Sequence, residues 1–263
     1  MQNLAPDVLL MHRLADVAGD AILPHFRALD GVESKQAAVF DPVTAADRGA
    51  EAAMRTLLVR ERPSDGILGE EYGLAREAAT RRWSLDPIDG TRAFVCGLPT
   101  WGVLIALVVD GRARIGMMAQ PFVGERFWSD GERAYMARSG AVRPIATRRC
   151  PRLSEATLLA TTPDMFEGDA GPRFAGLTAA VRATRYGTDC YGYAMVAAGQ
   201  ADVVVEAKLA TYDTAAFIPI IETAGGRVTD WSGGDALAGG RVIAAGDPHI
   251  AEAVVAFLAD RPA

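Results

Sequence analysis

Between Val103 and Val109 the chain reads VLIALVV, and it then turns at Asp110-Gly111. A run this rich in β-branched residues is a strand, and the Asp-Gly pair that ends it is a hairpin signal. Ile115 to Ala119, Arg126 to Ser129 and Ala134 to Ala137 follow as further short strands. This part of the chain therefore has to form a meandering antiparallel sheet. Two helices precede it. Val8, Leu9, Leu14, Val17, Ile22 and Phe26 lie near helical spacing between Pro6 and Leu29, and Thr44 to Arg60 is amphipathic. Ile67 to Gly69 and Trp83 to Leu85 are short strand candidates, each followed at once by carboxylates.

From Leu153 the rhythm changes to strands and helices in alternation. Strands are expected at Thr157 to Ala160, Val203 to Val205 and Val242-Ile243, and helices at Arg173 to Ala183, Tyr191 to Ala198 and Thr214 to Ala224, with a last helix after Val242-Ile243. Gly225-Gly226 stops the helix before it. The fold class is α+β in layers. Residues 1–150 form an N-terminal α+β half and 151–263 a C-terminal α/β half, with the boundary near Thr147 to Leu153 and the two packed as one catalytic unit.

The length of 263 residues, with 50% apolar content, is ample for a sizeable core. A net charge of -6 with scattered arginines gives no basic field, so no nucleic-acid partner is expected. Cys96, Cys150 and Cys190 are too few and too irregular for a disulfide framework or a zinc site, which fits a reducing cytoplasm. Asp7, His12, Arg13 and Asp16 interrupt the N-terminus, so neither a signal-peptide core nor a membrane span is read there.

Acids stand where strand or helix gives way to loop in four places: Asp41 and Asp47 in DPVTAAD, Glu70 and Glu71 in GEEYG, Asp86 and Asp89 in DPIDGT, and Asp213 in TYDTAA. Each alone reads as a turn, cap or solvated residue. Brought together, they would repel one another unless a cation lay between them. No histidine or cysteine falls in these motifs, and oxygen-only ligands select a hard ion such as Mg2+, which also favours substrate phosphate oxygens. Gly90 allows close backbone approach, the amides of Gly90 and Thr91 can donate to phosphate at a helix start, and the Thr91 hydroxyl can orient a water. No Walker-type loop or kinase motif is present, so water is the expected phosphoryl acceptor. The residues alone point to a metal-assisted phosphatase.

GEE, DPIDGT with Phe94 three residues beyond Thr91, and a late aspartate heading a small-residue helix before Ala224-Gly225-Gly226 resemble the inositol monophosphatase superfamily across nearly the whole chain. The resemblance implies a layered αβαβα fold, dependence on two or three Mg2+ ions, lithium sensitivity and a homodimer. It implies that Glu70, Asp86 and the Ile88 carbonyl hold one metal, that Asp86, Asp89 and Asp213 hold a second, and that a looser third rests on Glu70. Asp47 and Thr91, with Glu70, would activate the attacking water, and Gly90 and Thr91 would hold the phosphate.

YGTDCYGYAMVAAGQADVVVEAKLATYD, Arg92 after DGT, and Pro99 to Gly102 are more similar to the histidinol-phosphatase branch, with Asp189 and Tyr212 at diverging positions. That resemblance makes Asp189, Glu206, Arg92 and Thr188 the substrate residues. It implies an enzyme of histidine biosynthesis that hydrolyses L-histidinol phosphate with metal-activated water. Asp189 and Glu206 suit a substrate with an ammonium and an imidazole better than a neutral polyol. Asp189 also reads as a cap of the helix from Tyr191. The alternatives are an inositol-1-phosphate phosphatase of the same mechanism and a silent metal-binding regulatory protein. The latter would lack a ligand, and Glu70, Asp86, Asp89 and Asp213 are all in place.

Overall fold

The computed structural model describes residues 4–28 and 45–259, and the backbone of 33–34 and 42–43. Leu29, Asp41 and Thr44, which the sequence reading included, lie outside the described residues. The elements begin with α1 (Ala5–Ile22), β1 (Glu33–Ser34), β2 (Pro42–Val43), α2 (Ala45–Glu61), β3 (Gly66–Gly69), β4 (Gly73–Ala75) and β5 (Arg81–Asp89). The short α3 (Thr91–Val95) leads into β6 (Gly102–Val109), β7 (Arg112–Gln120), β8 (Glu125–Ser129), β9 (Ala134–Arg138) and β10 (Ala141–Pro144). Then come β11 (Thr157–Ala160), α4 (Ala170–Ala180), β12 (Ala183–Tyr186), α5 (Asp189–Ala197), β13 (Val203–Leu209), α6 (Thr211–Thr214), α7 (Phe217–Thr223), β14 (Arg227–Asp230), β15 (Gly240–Ala245) and α8 (Pro248–Ala259).

The expected meander is present: β5 to β10 pair in succession, all antiparallel, and β3 joins β5 in parallel to complete an eight-stranded sheet with β4 at its far edge. Asp110 and Gly111 both have positive φ, 51° and 74°, and Val109 pairs with Arg112. This is the two-residue hairpin that Asp-Gly favours. The uninterrupted apolar character of β6 has a packing cause. Val103, Ile105 and Leu107 enter one core with α1 and α2, while Leu104, Ala106 and Val108 enter another with α5 and α7. A strand covered on both faces has no solvent side to carry polar residues.

The second sheet runs β12-β11-β13-β15-β14, parallel across its first three strands and antiparallel across the rest. Leu159, Val204 and Val242 face the α5 and α7 core, while Leu158, Val203, Val205 and Ile243 face a third core with α4 and α8. The first core lies between α1/α2 and the first sheet, the second fills both sides of α5 and α7 between the two sheets, and the third lies between the second sheet and α4/α8, so the α+β fold is layered αβαβα as expected. No helix among the described residues is long and apolar enough to cross a membrane.

Several boundaries differ from the sequence reading, each for a local reason. The first helix stops at Ile22 because Pro24 follows, and Leu23–His25 close as a single 3₁₀ turn. The helix expected at Thr214 to Ala224 is split into α6 and α7, since Pro219 has no N–H for the carbonyl of Ala215. The helix expected at Arg173 to Ala183 ends at Ala180, and Ala183 already belongs to β12. Edge strands β4, β10, β12 and β14 are additional to those expected. β10 is exposed throughout, so it carries no burial pattern to read.

Candidate active site

Asp86 and Asp89 stand three apart on β5, a spacing that would send them to opposite faces of a regular strand. The ladder resolves this. Asp86 pairs with Leu104 and Asp89 with Gly102, so β5 carries one residue more than its partner between them. Pro87 and Ile88 lie in this bulge, which kinks the strand and turns both carboxylates to the same place. The Ile88 N–H donates to Asp86 Oδ1 at 3.1 Å. Gly90 then reverses the chain at φ 81° as the N-cap of α3, and Thr91 Oγ1 donates to the Ile88 carbonyl at 2.9 Å. A Cβ at Gly90 would meet Asp189 Cβ at 2.9 Å and Trp101 Cα at 3.2 Å, so both conformation and space require glycine.

Asp213 comes from α6, far along the chain from β5, its Oδ2 accepting from the Ala210 N–H at 2.6 Å. One carboxylate oxygen each from Asp86, Asp89 and Asp213 lie within 4.8 Å of one another. Glu70 follows β3, whose end is in register with Leu85, and its N–H donates to the Leu85 carbonyl at 3.2 Å. Burial, then the charges of Glu70, Asp89 and Asp213, push the Asp86 carboxyl well above the ordinary carboxylate range, and a hydrogen bond with Glu70 adds to this. Burial, then Asp213, Asp189 and Glu206, push Asp89 the same way. Such a group of acids binds protons unless a cation replaces them. The donors are all oxygen, which fits a hard divalent ion. Cys190 is close, with Sγ 3.9 Å from the Asp89 carbonyl and 3.6 Å from that of Thr100. Burial, then the charges of Asp89 and Asp189, hold its thiol well above its usual range.

A cleft of about 300 Å³ opens beside the acids, lined by Asp89, Gly90, Thr91, Arg92, Asp189, Glu206 and Asp213 among others. Glu206 is buried on β13. Its Oε1 accepts from the N–H and hydroxyl of Thr161 at 2.8 and 2.6 Å, and its Oε2 from the Tyr193 hydroxyl at 2.9 Å. Burial, only partly offset by these donors, raises its carboxyl to about 7. Asp189 is also buried, has a left-handed φ of 43°, and accepts from Thr100 Oγ1 at 2.9 Å. A non-glycine residue in that conformation costs on the order of 1–3 kcal/mol. The Asp189 carboxylate is engaged by Thr100, and no side-chain cap bond is formed at the start of α5 among the described residues, so the carboxylate does not act as the helix cap that the sequence also allowed.

The remaining candidates are more dispersed. Asp47 is on the buried face of α2, in its first turn. Thr188 does not line the cleft, and its hydroxyl is turned towards Gly192. Arg92 is exposed at the rim, and its charge acts on Asp189. Thr161, Tyr193 and Lys208 also line the cleft and were not singled out from sequence. A tyrosine in a helix of small residues was the one available signal among them.

The profile of the Inositol monophosphatase family matches residues 6–261. The chain is 36% identical over 245 residues to the histidinol-phosphatase of Mycobacterium tuberculosis, covering 90% of this chain and 92% of that protein. It is 40% identical over 223 residues to the bifunctional phosphatase IMPL2, chloroplastic, of Arabidopsis thaliana, covering 84% of this chain but spanning only 63% of that longer protein. Among solved structures, an inositol monophosphatase from Zymomonas mobilis superposes with a TM-score of 0.87 at 44% identity, covering 98% of this chain and 99% of the other. This chain therefore belongs to the inositol monophosphatase family of phosphatases.

Proposed function

We propose that the protein is a magnesium-dependent phosphomonoesterase whose substrate is L-histidinol phosphate. The observation that carries the substrate is the pair of buried carboxylates, Asp189 and Glu206, lining the cleft next to the acid cluster. In this reading Glu70, Asp86, Asp89, Asp213 and the Ile88 carbonyl hold two or three magnesium ions. Bound magnesium would supply positive charge for the phosphoryl oxygens and lower the pKa of a water. The chain's own groups do the rest. The amides of Gly90 and Thr91 hold the phosphate, Thr91 and Asp47 orient the attacking water, and Arg92 screens the cleft rim. Residues 1–150 and 151–263 act as one unit, because Asp86 and Asp89 come from one half and Asp189, Glu206 and Asp213 from the other. A homodimer in the cytoplasm completes the proposal.

Histidinol phosphate carries an ammonium group, and a charge-assisted hydrogen bond to a carboxylate is worth about 1.5–3 kcal/mol, or roughly ten- to hundredfold in kcat/KM. Asp189→Asn or Glu206→Gln should lower kcat/KM for histidinol phosphate by about that factor while sparing p-nitrophenyl phosphate. Equal losses on both esters would make these acids supports of the fold or the metal site.

The state of Glu206 gives a second expected outcome. Its folded-state carboxyl is raised to about 7, so it becomes a carboxylate only as the pH rises through that value. The ratio of kcat/KM for histidinol phosphate over p-nitrophenyl phosphate should rise from pH 6 to pH 8 in the wild type and flatten in Glu206→Gln. A ratio independent of pH would remove Glu206 from amine recognition. Inositol-1-phosphate is the second reading, favoured by the identity to the Zymomonas mobilis protein. A wild-type preference for that ester over histidinol phosphate would establish it.

A further inference from the structure

Helix α2 buries a second acid, Glu51, one turn after Asp47 on the same face, and Glu51 has no exposed surface. A fully buried glutamate among Ala50, Met54 and Leu58 needs strong partners. It has them in the loop that carries Glu70. Glu51 Oε2 accepts from the Glu71 N–H at 2.7 Å, and Oε1 accepts from the Tyr72 N–H at 3.3 Å and from Arg55 Nε at 2.7 Å. Arg55 reaches on to donate from Nη2 to the Gly73 carbonyl, and its guanidinium lies 5.8 Å from the centre of the Tyr72 ring. On the other side of Glu70, a Cβ at Gly69 would fall on the Glu51 carboxylate. The residues before and after Glu70 are thus both set by Glu51, while the Glu70 N–H is set by Leu85 of β5, next to Asp86.

We propose that Glu51, with Arg55, is a positioning residue that clamps the Glu70 loop against α2 and so fixes Glu70 relative to Asp86 and Asp47. The inference rests on Glu70 being a magnesium ligand. Two ends of the site meet through this contact: Asp47 stands four residues before Glu51, so the α2 face that presents Asp47 also anchors the loop. Partners that orient a ligand contribute about 10–100-fold to metal affinity or activity.

Glu51→Gln is the test. Glutamine offers one acceptor oxygen and an NH₂ group where three donors converge, so at least one donor faces another. The magnesium midpoint for p-nitrophenyl phosphate hydrolysis should rise about 10–100-fold, and magnesium affinity measured by calorimetry without substrate should fall by the same factor. Turnover at saturating magnesium should largely recover. A lower Tm in EDTA with unchanged magnesium affinity would make Glu51 a structural contact only and overturn the proposal, as would no change in either. If Glu51→Gln does not fold, Arg55→Lys, which keeps the charge but loses the fork to Gly73, should shift both magnesium readouts in the same direction by a smaller factor. Unchanged affinity there also overturns the clamp. Wild-type turnover unaffected by EDTA would remove the metal reading and the clamp with it. Magnesium-dependent wild type with normal Glu51→Gln would remove the clamp alone.

Discussion

Asp89→Asn is expected to reduce phosphatase activity by about 10³-fold or more, because a metal's charge contributes several kcal/mol to such a transition state. The geometry makes Asp89 hard to replace. The β5 bulge brings a carboxylate oxygen of Asp89 within 4.8 Å of those of Asp86 and Asp213. Activity alone does not separate a lost ligand from a damaged fold, so the companion measurement is Tm in EDTA. Burial and neighbouring acids raise the folded-state pKa values of Asp86 and Asp89. A raised carboxyl contributes stability that is present below its unfolded value of about 4 and lost as the pH rises through its folded value. The metal-free wild type should therefore melt lower at pH 8 than at pH 5.5. Asparagine cannot ionise, so Asp89→Asn should hold or raise Tm in EDTA at pH 8 and flatten the pH dependence. Near-normal activity at saturating magnesium would exclude Asp89 as a ligand.

The parts of this fold that could be read from sequence were those where local and tertiary preferences agree. Asp110-Gly111 demands a particular hairpin whatever surrounds it, and β6 is apolar throughout because helices cover both faces. The acid motifs were legible for the opposite reason. Asp86 and Asp89 break a strand pattern, and such conflicts mark sites. Edge strands such as β10 left no trace, since an exposed strand needs no burial alternation. An isolated glutamate in a helix, such as Glu51, is ordinary until its burial is known. Thr161 and Tyr193 became part of the cleft only through β11 and α5 packing beside β13, an arrangement of pieces distant in sequence.

Thr91→Ala should lower kcat by roughly 10²–10⁴-fold, the range for lost acid–base positioning, with KM much less affected. The orientation of the hydroxyl is what makes the prediction sharp. Its proton is committed to the Ile88 carbonyl at 2.9 Å, so its oxygen is left to accept, and Thr91 lines the cleft. In the proposed function that oxygen would hold a water by one of its protons, with a lone pair turned towards phosphorus. Alanine keeps the α3 backbone and its amides, so phosphate binding should survive while the water loses its guide. Thr91→Ser restores the hydroxyl without the methyl group and should recover most of kcat. If KM rose and kcat held, Thr91 would serve binding alone. If serine failed to rescue, the methyl packing at the start of α3 would be what the site needs, and the water would have to be oriented by Asp47.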